Sequence, residues 1–169
     1  MLERARFEPS PTGPLHIGGL RTALFNFLVA KKSGGSFILR IEDTDAKRTV
    51  KGAEKHIIDS LKWLGLDFDE GPVRQSSRGS LYKKSVSILI EKGLAYYAFD
   101  TPNDLEKARE QSGGDFKYNF TTRMEMSNSL TLTNDETESR IQRGGYSVRM
   151  VVPEKRTIKV VDQVRGGLS

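Results

Sequence analysis

Cysteine is absent from this chain. That excludes a disulfide framework and any thiolate metal site. Only two histidines occur, so a histidine-based zinc centre is not expected, and no zinc or other protein-held metal is assigned. No apolar run approaches the roughly 20 residues of a membrane-spanning helix, and the N-terminus lacks the apolar core of a signal peptide. The expectation is a soluble, cytoplasmic chain with no membrane partner.

What is present is enough for one medium domain, or for one small domain plus part of another, at 169 residues with 36% hydrophobic side chains. Lys plus Arg number 27 against 22 Asp plus Glu, a net charge of +5. The excess is uneven. From Arg140 onward the basic residues are Arg140, Arg143, Arg149, Lys155, Arg156, Lys159 and Arg165, against Glu154 and Asp162. Such a surface suits a polyanion such as RNA; a solvated hairpin with ordinary surface charges fits it equally.

The rhythm of the first half is that of a βαβ unit with a parallel sheet. Arg4–Glu8 reads as a strand. Leu20, Ala23, Leu24, Phe27 and Leu28 follow at helical spacing, stopped by Gly34-Gly35. Phe37–Ile41 reads as a buried strand leading into Glu42-Asp43-Thr44-Asp45. A second helix spans about 52–64, with Ile57, Ile58, Leu61 and Leu64 on one face, Trp63 assigned to the core, and His56 at the surface or core edge. A loop is expected after Asp67–Pro72, taking in the stretch between Gly71 and Arg74. A third helix over 80–92 and a strand over 95–99 come next. Thr101-Pro102-Asn103-Asp104 and Thr133-Asn134-Asp135-Glu136 are capping boxes, each opening a helix. Tyr146–Val152 and Thr157–Val161 alternate like a hairpin around Pro153–Arg156, with no element expected at Gly166–Ser169. The change of rhythm places a domain boundary near residue 79.

Pro9-Ser-Pro-Thr-Gly-Pro-Leu-His-Ile-Gly-Gly19 joins the first strand to the first helix. A helix N-terminus presents unpaired N–H groups and a positive dipole end, which suits phosphate. Gly13 is expected to make a turn that a Cβ would resist. Gly18 and Gly19 leave the backbone bare for close approach, and His16 stands at the lip. His16 either donates to a phosphate oxygen or caps its own helix.

This run, continued by Arg21-Thr22-Ala23-Leu24-Phe25-Asn26, resembles the first signature of class I aminoacyl-tRNA synthetases of the glutamyl branch, although Gly19 stands where the signature often has a second histidine. Arg40-Ile41-Glu42-Asp43-Thr44-Asp45 with Gly52-Ala53-Glu54 resembles the same enzymes, as do Lys62–Asp67, Arg74-Gln75-Ser76, and further on Asp162 with Arg165-Gly166. The resemblance implies an α/β fold: a Rossmann-like parallel-sheet half-domain over 1–78, then an inserted, incomplete α+β acceptor-stem-binding domain over 79–169. It implies activation of glutamate by ATP, accompanied by Mg2+, and transfer to the terminal adenosine of tRNA(Glu), by a monomer.

Adenylate formation asks little proton transfer of an enzyme, so positioning and stabilisation of phosphate charge carry it. By resemblance, Thr12, His16, Gly18 and Gly19 bind ATP, with His16 catalytic. Arg6, Ser10 and Glu42 bind glutamate: the Arg6 fork matches a carboxylate, and Glu42 accepts from an ammonium. Strand ends are where ligands sit in open α/β sheets. A structural ion pair between Arg6 and Glu42 is the competing reading. Asp43 and Asp45 could suit magnesium, but the resemblance places Thr44, Asp45 and Arg48 against the tRNA 3′ end.

Met124–Ser129 (Met-Glu-Met-Ser-Asn-Ser) echoes the second synthetase signature without its lysine. The chain is therefore expected to be an N-terminal fragment that does not form the adenylate alone. A queuosine-modifying paralogue typically carries zinc-binding cysteines where Tyr97-Ala98-Phe99-Asp100 stands here. A glutaminyl enzyme would show a different first loop. A stand-alone acceptor-stem binding module would not need Arg6, Ser10, His16 and Glu42 together.

Overall fold

The structure, a computed structural model, describes residues 2–154, 156–162 and 166–168. The chain forms two compact units, Met1–Tyr82 and Lys83–Ser169. Lys155 and Arg165, two of the basic residues noted above, lie outside the described residues, as does Ser169.

In the first unit, β1 (Arg4–Phe7), α1 (Ile17–Ser33), β2 (Ser36–Ile41), α2 (Ala53–Trp63) and β3 (Glu70–Arg74) form a three-stranded sheet in the order β1-β2-β3, parallel throughout. β2 is central and alternates strictly: Phe37, Leu39 and Ile41 are fully buried, while Ser36, Ile38 and Arg40 are half-buried. These three join Phe7, Ala23, Ala30, Ile57, Leu61 and Leu66 in the core, and burying each large side chain stabilises the unit by about 2 kcal/mol. Phe27 meets Phe37 edge to face at 5.6 Å. α1 ends where expected, because Gly34 takes φ 68° and its N–H reaches the carbonyls of Ala30 and Lys31.

Three sequence expectations fail here. Residues 70–74 are a strand, where a loop was expected between Gly71 and Arg74; proline is tolerated at a sheet edge, which is where β3 lies among the described strands. Leu24, Leu28 and Leu64 are exposed although they share the expected apolar stripes, since the small residues Ala23 and Ala30 let α1 sit down on the sheet along a narrower face. Trp63 is 84% exposed rather than core, because Ile57 and Leu61 already fill the inward positions of α2.

The second unit holds most of α3 (Gly79–Glu91), then β4 (Ala95–Ala98), α4 (Pro102–Gln111), α5 (Asn134–Arg143), β5 (Ser147–Met150), β6 (Val160–Asp162) and β7 (Gly166–Leu168). Both capping boxes form reciprocally, Thr101 with Asp104 and Thr133 with Glu136. The hairpin expected between 146–152 and 157–161 does not. β5 pairs antiparallel with β4, Ala95 opposite Met150 through Ala98 opposite Ser147, and β6 pairs with β7 in the tail that was expected to lack structure. Local alternation identifies strands but not partners; β4 supplies the buried Tyr96 and Ala98 on which β5 closes. Asn128, fully buried, donates to the carbonyls of Arg123 and Met126 and accepts from Leu130 N–H. Beside it, Tyr118 O–H donates to Asp100 at 2.9 Å.

Candidate active site

The C-terminal ends of the three parallel strands lie together, and their loops are stitched by backbone bonds. Glu42 N–H donates to Pro9 C=O, Val50 N–H to Pro11 C=O, and Gln75 N–H to Ile41 C=O, at 3.0, 2.9 and 2.9 Å. An open cleft of about 640 Å³ sits at the β1–α1 end, lined among others by Arg6, Ser10, Thr12, His16, Gly19 and Thr22. Five residues assigned from the sequence thus share one cavity. Glu42 and Gly18 are not among its lining residues, nor are Thr44, Asp45 and Arg48.

His16 is the N-cap of α1: its Nδ1 accepts from Gly18 N–H at 3.1 Å. Capping and phosphate donation are therefore compatible, since an accepting Nδ1 leaves the neutral ring's proton on Nε2. Gly18 is explained by the same contact. A Cβ there would meet His16 Cε1 at 2.9 Å and Nδ1 at 3.1 Å, so its first task is to admit the imidazole. Gly13 departs from expectation, with nothing within 4 Å of a Cβ and φ outside the left-handed region; its turn does not demand glycine.

Arg6 pairs with Glu8, not with Glu42, among the described residues. Period-two alternation carries Arg6 and Glu8 to one face, and the Arg6–Ile38 register brings Arg40 close enough for its Nη1 to lie 3.8 Å from Glu8 Oε1. Two arginines therefore share one carboxylate, leaving one positive charge uncompensated by any other ion pair among the described residues. Sequence reasoning missed Glu8 and Arg40 as partners, though the alternation and the parallel pairing of the strands were both readable.

The Glu42–Arg48 loop is ordered by Asp43. Its Oδ1 accepts from Ser76 N–H at 2.8 Å and its Oδ2 from Ser76 O–H at 2.5 Å. Partial burial pushes the Asp43 carboxyl up, but the two Ser76 bonds and the nearby Arg74 charge outweigh it and leave it below the ordinary value. Each oxygen accepts one bond from Ser76, which fixes the orientation of the Asp43 carboxylate. Asp45 turns back on its own loop, accepting from Arg48 N–H at 3.3 Å and lying 3.8 Å from its guanidinium. Thr44, Asp45 and Arg48 are exposed.

Parallel strands, a cleft at their C-terminal ends and a helix N-terminus opening into it define an α/β ligand-binding unit of the open-sheet class. The family described as tRNA synthetases class I (E and Q), catalytic domain, matches residues 3–169, and the chain belongs to this family. The chain is 55% identical to the glutamate–tRNA ligase of Azobacteroides pseudotrichonymphae over 170 residues, covering 100% of this chain and 34% of that protein. The Parabacteroides distasonis enzyme of the same name is 52% identical over 96% of this chain and 34% of its own length. A crystal structure of a glutamate tRNA ligase from Elizabethkingia meningosepticum, in complex with its amino acid, superposes with a TM-score of 0.91 at 41% identity, covering 99% of this chain and 36% of that one. The chain thus spans about a third of the length of the curated relatives it matches. No helix among the described residues is long and apolar enough to cross a membrane.

Proposed function

We propose that this chain carries the ATP- and glutamate-binding part of a glutamate–tRNA ligase active site, which activates L-glutamate as glutamyl-adenylate and transfers it to the terminal adenosine of tRNA(Glu). The observation that carries the reading is the convergence of Arg6, Ser10, Thr12, His16 and Gly19 on one cleft at the strand ends.

The chemistry follows from that geometry. The substrate α-carboxylate attacks the ATP α-phosphorus, an O–P bond forms, and pyrophosphate leaves with the electron pair of the broken bond. No proton need move, so the enzyme's contribution is alignment and charge stabilisation. His16 Nε2–H donates to a phosphate oxygen while its Nδ1 stays fixed on Gly18 N–H. Thr12 and the bare backbone at Gly18 and Gly19 receive the nucleotide. Mg2+ would arrive with the phosphates it neutralises. The surplus charge of the Arg6–Glu8–Arg40 cluster suits one carboxylate, the glutamate side chain. Ser10 and Glu42 receive the α-amino end.

Thr44, Asp45 and Arg48 contact the tRNA 3′ end in this reading, and the second unit is the beginning of the acceptor-stem domain. Arg140 and Arg143 in the last turn of α5 support the latter as cationic contacts for RNA phosphates, whereas Arg149 on β5 stacks its guanidinium on Tyr118 at 3.8 Å.

The test is a chimera in which residues 1–169 replace the matching third of the Azobacteroides ligase, assayed for charging of tRNA(Glu) with labelled glutamate. It should charge. A folded chimera that does not charge overturns the reading. The isolated chain, given ATP, glutamate and tRNA, should show no ATP–pyrophosphate exchange; robust exchange would refute the view that its active site is partial.

A further inference from the structure

Ser76 lies outside the cleft, in the 3₁₀ turn Ser76–Arg78 that follows β3, yet it holds the most tightly tied point of the neighbouring strand-end loop. It donates twice to one carboxylate, backbone N–H to Asp43 Oδ1 at 2.8 Å and side-chain O–H to Asp43 Oδ2 at 2.5 Å. The two residues before Ser76 reinforce the seam. Gln75 N–H donates to Ile41 C=O at 2.9 Å, and Arg74 grips Glu54 in the first turn of α2 through Nε and Nη2 at 3.0 and 2.7 Å. From the other side, the loop is tethered at Glu42 to Pro9 and at Val50 to Pro11. Between these anchors, Asp45 and Arg48 bond only within their own loop among the described residues, and Thr44, Asp45 and Arg48 stay exposed.

We propose that Ser76 is a positioning residue: through Asp43 it fixes the path of the Glu42–Arg48 loop so that Thr44, Asp45 and Arg48 meet the terminal adenosine of an acceptor stem. The inference rests on the reading above that this loop contacts the tRNA 3′ end. A carboxylate held by two donors from one residue has one orientation, whereas a solvated aspartate samples several and lets the exposed loop spread. Holding the loop in advance removes part of the ordering cost of binding.

The test uses the 169-residue chain and a 5′-labelled RNA hairpin ending in single-stranded CCA, beside the same hairpin lacking its last adenosine, titrated by fluorescence anisotropy. The unaltered chain should prefer the complete hairpin. Ser76→Ala should reduce that preference by about fivefold for one lost hydrogen bond, and Asp43→Ala, which loses both bonds to Ser76, should reduce it further, while circular dichroism stays native. Ser76→Thr, which keeps both donors, should retain it. A general loss of folding would weaken both hairpins alike and leave their ratio unchanged. Should Ser76→Ala unfold, Asp43→Asn, which removes the charge and one of the two acceptors, answers the same question. If the unaltered chain binds the two hairpins equally, the reading of the loop as a 3′-end contact falls and takes this inference with it. If it discriminates but both alanine variants discriminate as well, the positioning role alone is overturned.

Discussion

Arg74 holds Glu54 through two parallel contacts, Nε to Oε2 at 3.0 Å and Nη2 to Oε1 at 2.7 Å, joining the end of β3 to the first turn of α2. The hydrogen bonds and charge of Glu54 push the Arg74 guanidinium further up. A planar fork matched to a carboxylate fixes direction as well as distance, which a lysine ammonium cannot do. Arg74→Ala should lower the thermal midpoint by a few degrees in melts followed by circular dichroism, and Arg74→Lys should recover only part of that loss.

Gly18→Ala places a methyl 2.9 Å from His16 Cε1. The ring must swing away and α1 loses its N-cap, a loss of about 1 kcal/mol that alanine's gain in helix propensity over glycine, about 1 kcal/mol, offsets, so the urea midpoint should move little. In the chimera the same variant should raise the KM for ATP. An unchanged KM would show that the His16 cap does not position the nucleotide.

In the chimera, Arg6→Ala should raise the KM for glutamate about 10- to 100-fold, the range for a lost charge-assisted pair, with little change in the KM for ATP. Equal losses for both substrates would make the Arg6–Glu8–Arg40 cluster a structural element only.

Asp69 fastens α1 to the sheet, accepting from Lys31 at 2.8 Å and from Phe37 N–H at 2.7 Å. The Lys31 bond, then the Phe37 bond, hold its carboxyl below the ordinary value of 3.8. A lowered folded-state value stabilises the fold above the unfolded value and stops doing so as pH falls through the folded one. Acid unfolding of the unaltered chain should therefore steepen below pH 3.8, and Asp69→Asn should flatten that limb.

Tyr118 gives the opposite sign. Burial, and then its bond to the Asp100 carboxylate, push its phenol above the ordinary value of 10.0. Its contribution is complete below that value and fades as pH rises through the folded one. Alkaline titration of stability should show this decline. Tyr118→Phe should lessen it, at a cost of about 1 kcal/mol at neutral pH, while Tyr96, whose phenol burial also pushes up, keeps a share.

What the sequence disclosed was what local chemistry decides. Thr101 with Asp104 and Thr133 with Glu136 needed only three-residue spacing, and both caps formed. β1 and β2 followed from one strand–helix–strand pattern whose handedness and pairing are nearly obligatory. β3 did not, because Gly71-Pro72 carries a turn signature and only the neighbouring β2 makes it a strand. The partner of β5 was hidden for the same reason: Ala95–Ala98 lies some fifty residues away, and alternation says nothing about distance. At the site, Arg6, Ser10, Thr12, His16 and Gly19 were legible as a group. The pairing of Arg6 with Glu8 was readable from period-two alternation and was overlooked, whereas the grip of Ser76 on Asp43 was hidden, since it depends on β3 lying beside β2.

The single tryptophan gives the chain an optical property. Trp63 stands 84% exposed at the end of α2, so its emission already resembles that of an indole in water, and unfolding should barely shift it. Circular dichroism is the appropriate monitor for the stability measurements above. The same indole is a sensitive reporter of contact: whatever covers that end of α2 will move its emission to the blue, in a molecule with no other tryptophan to obscure the signal.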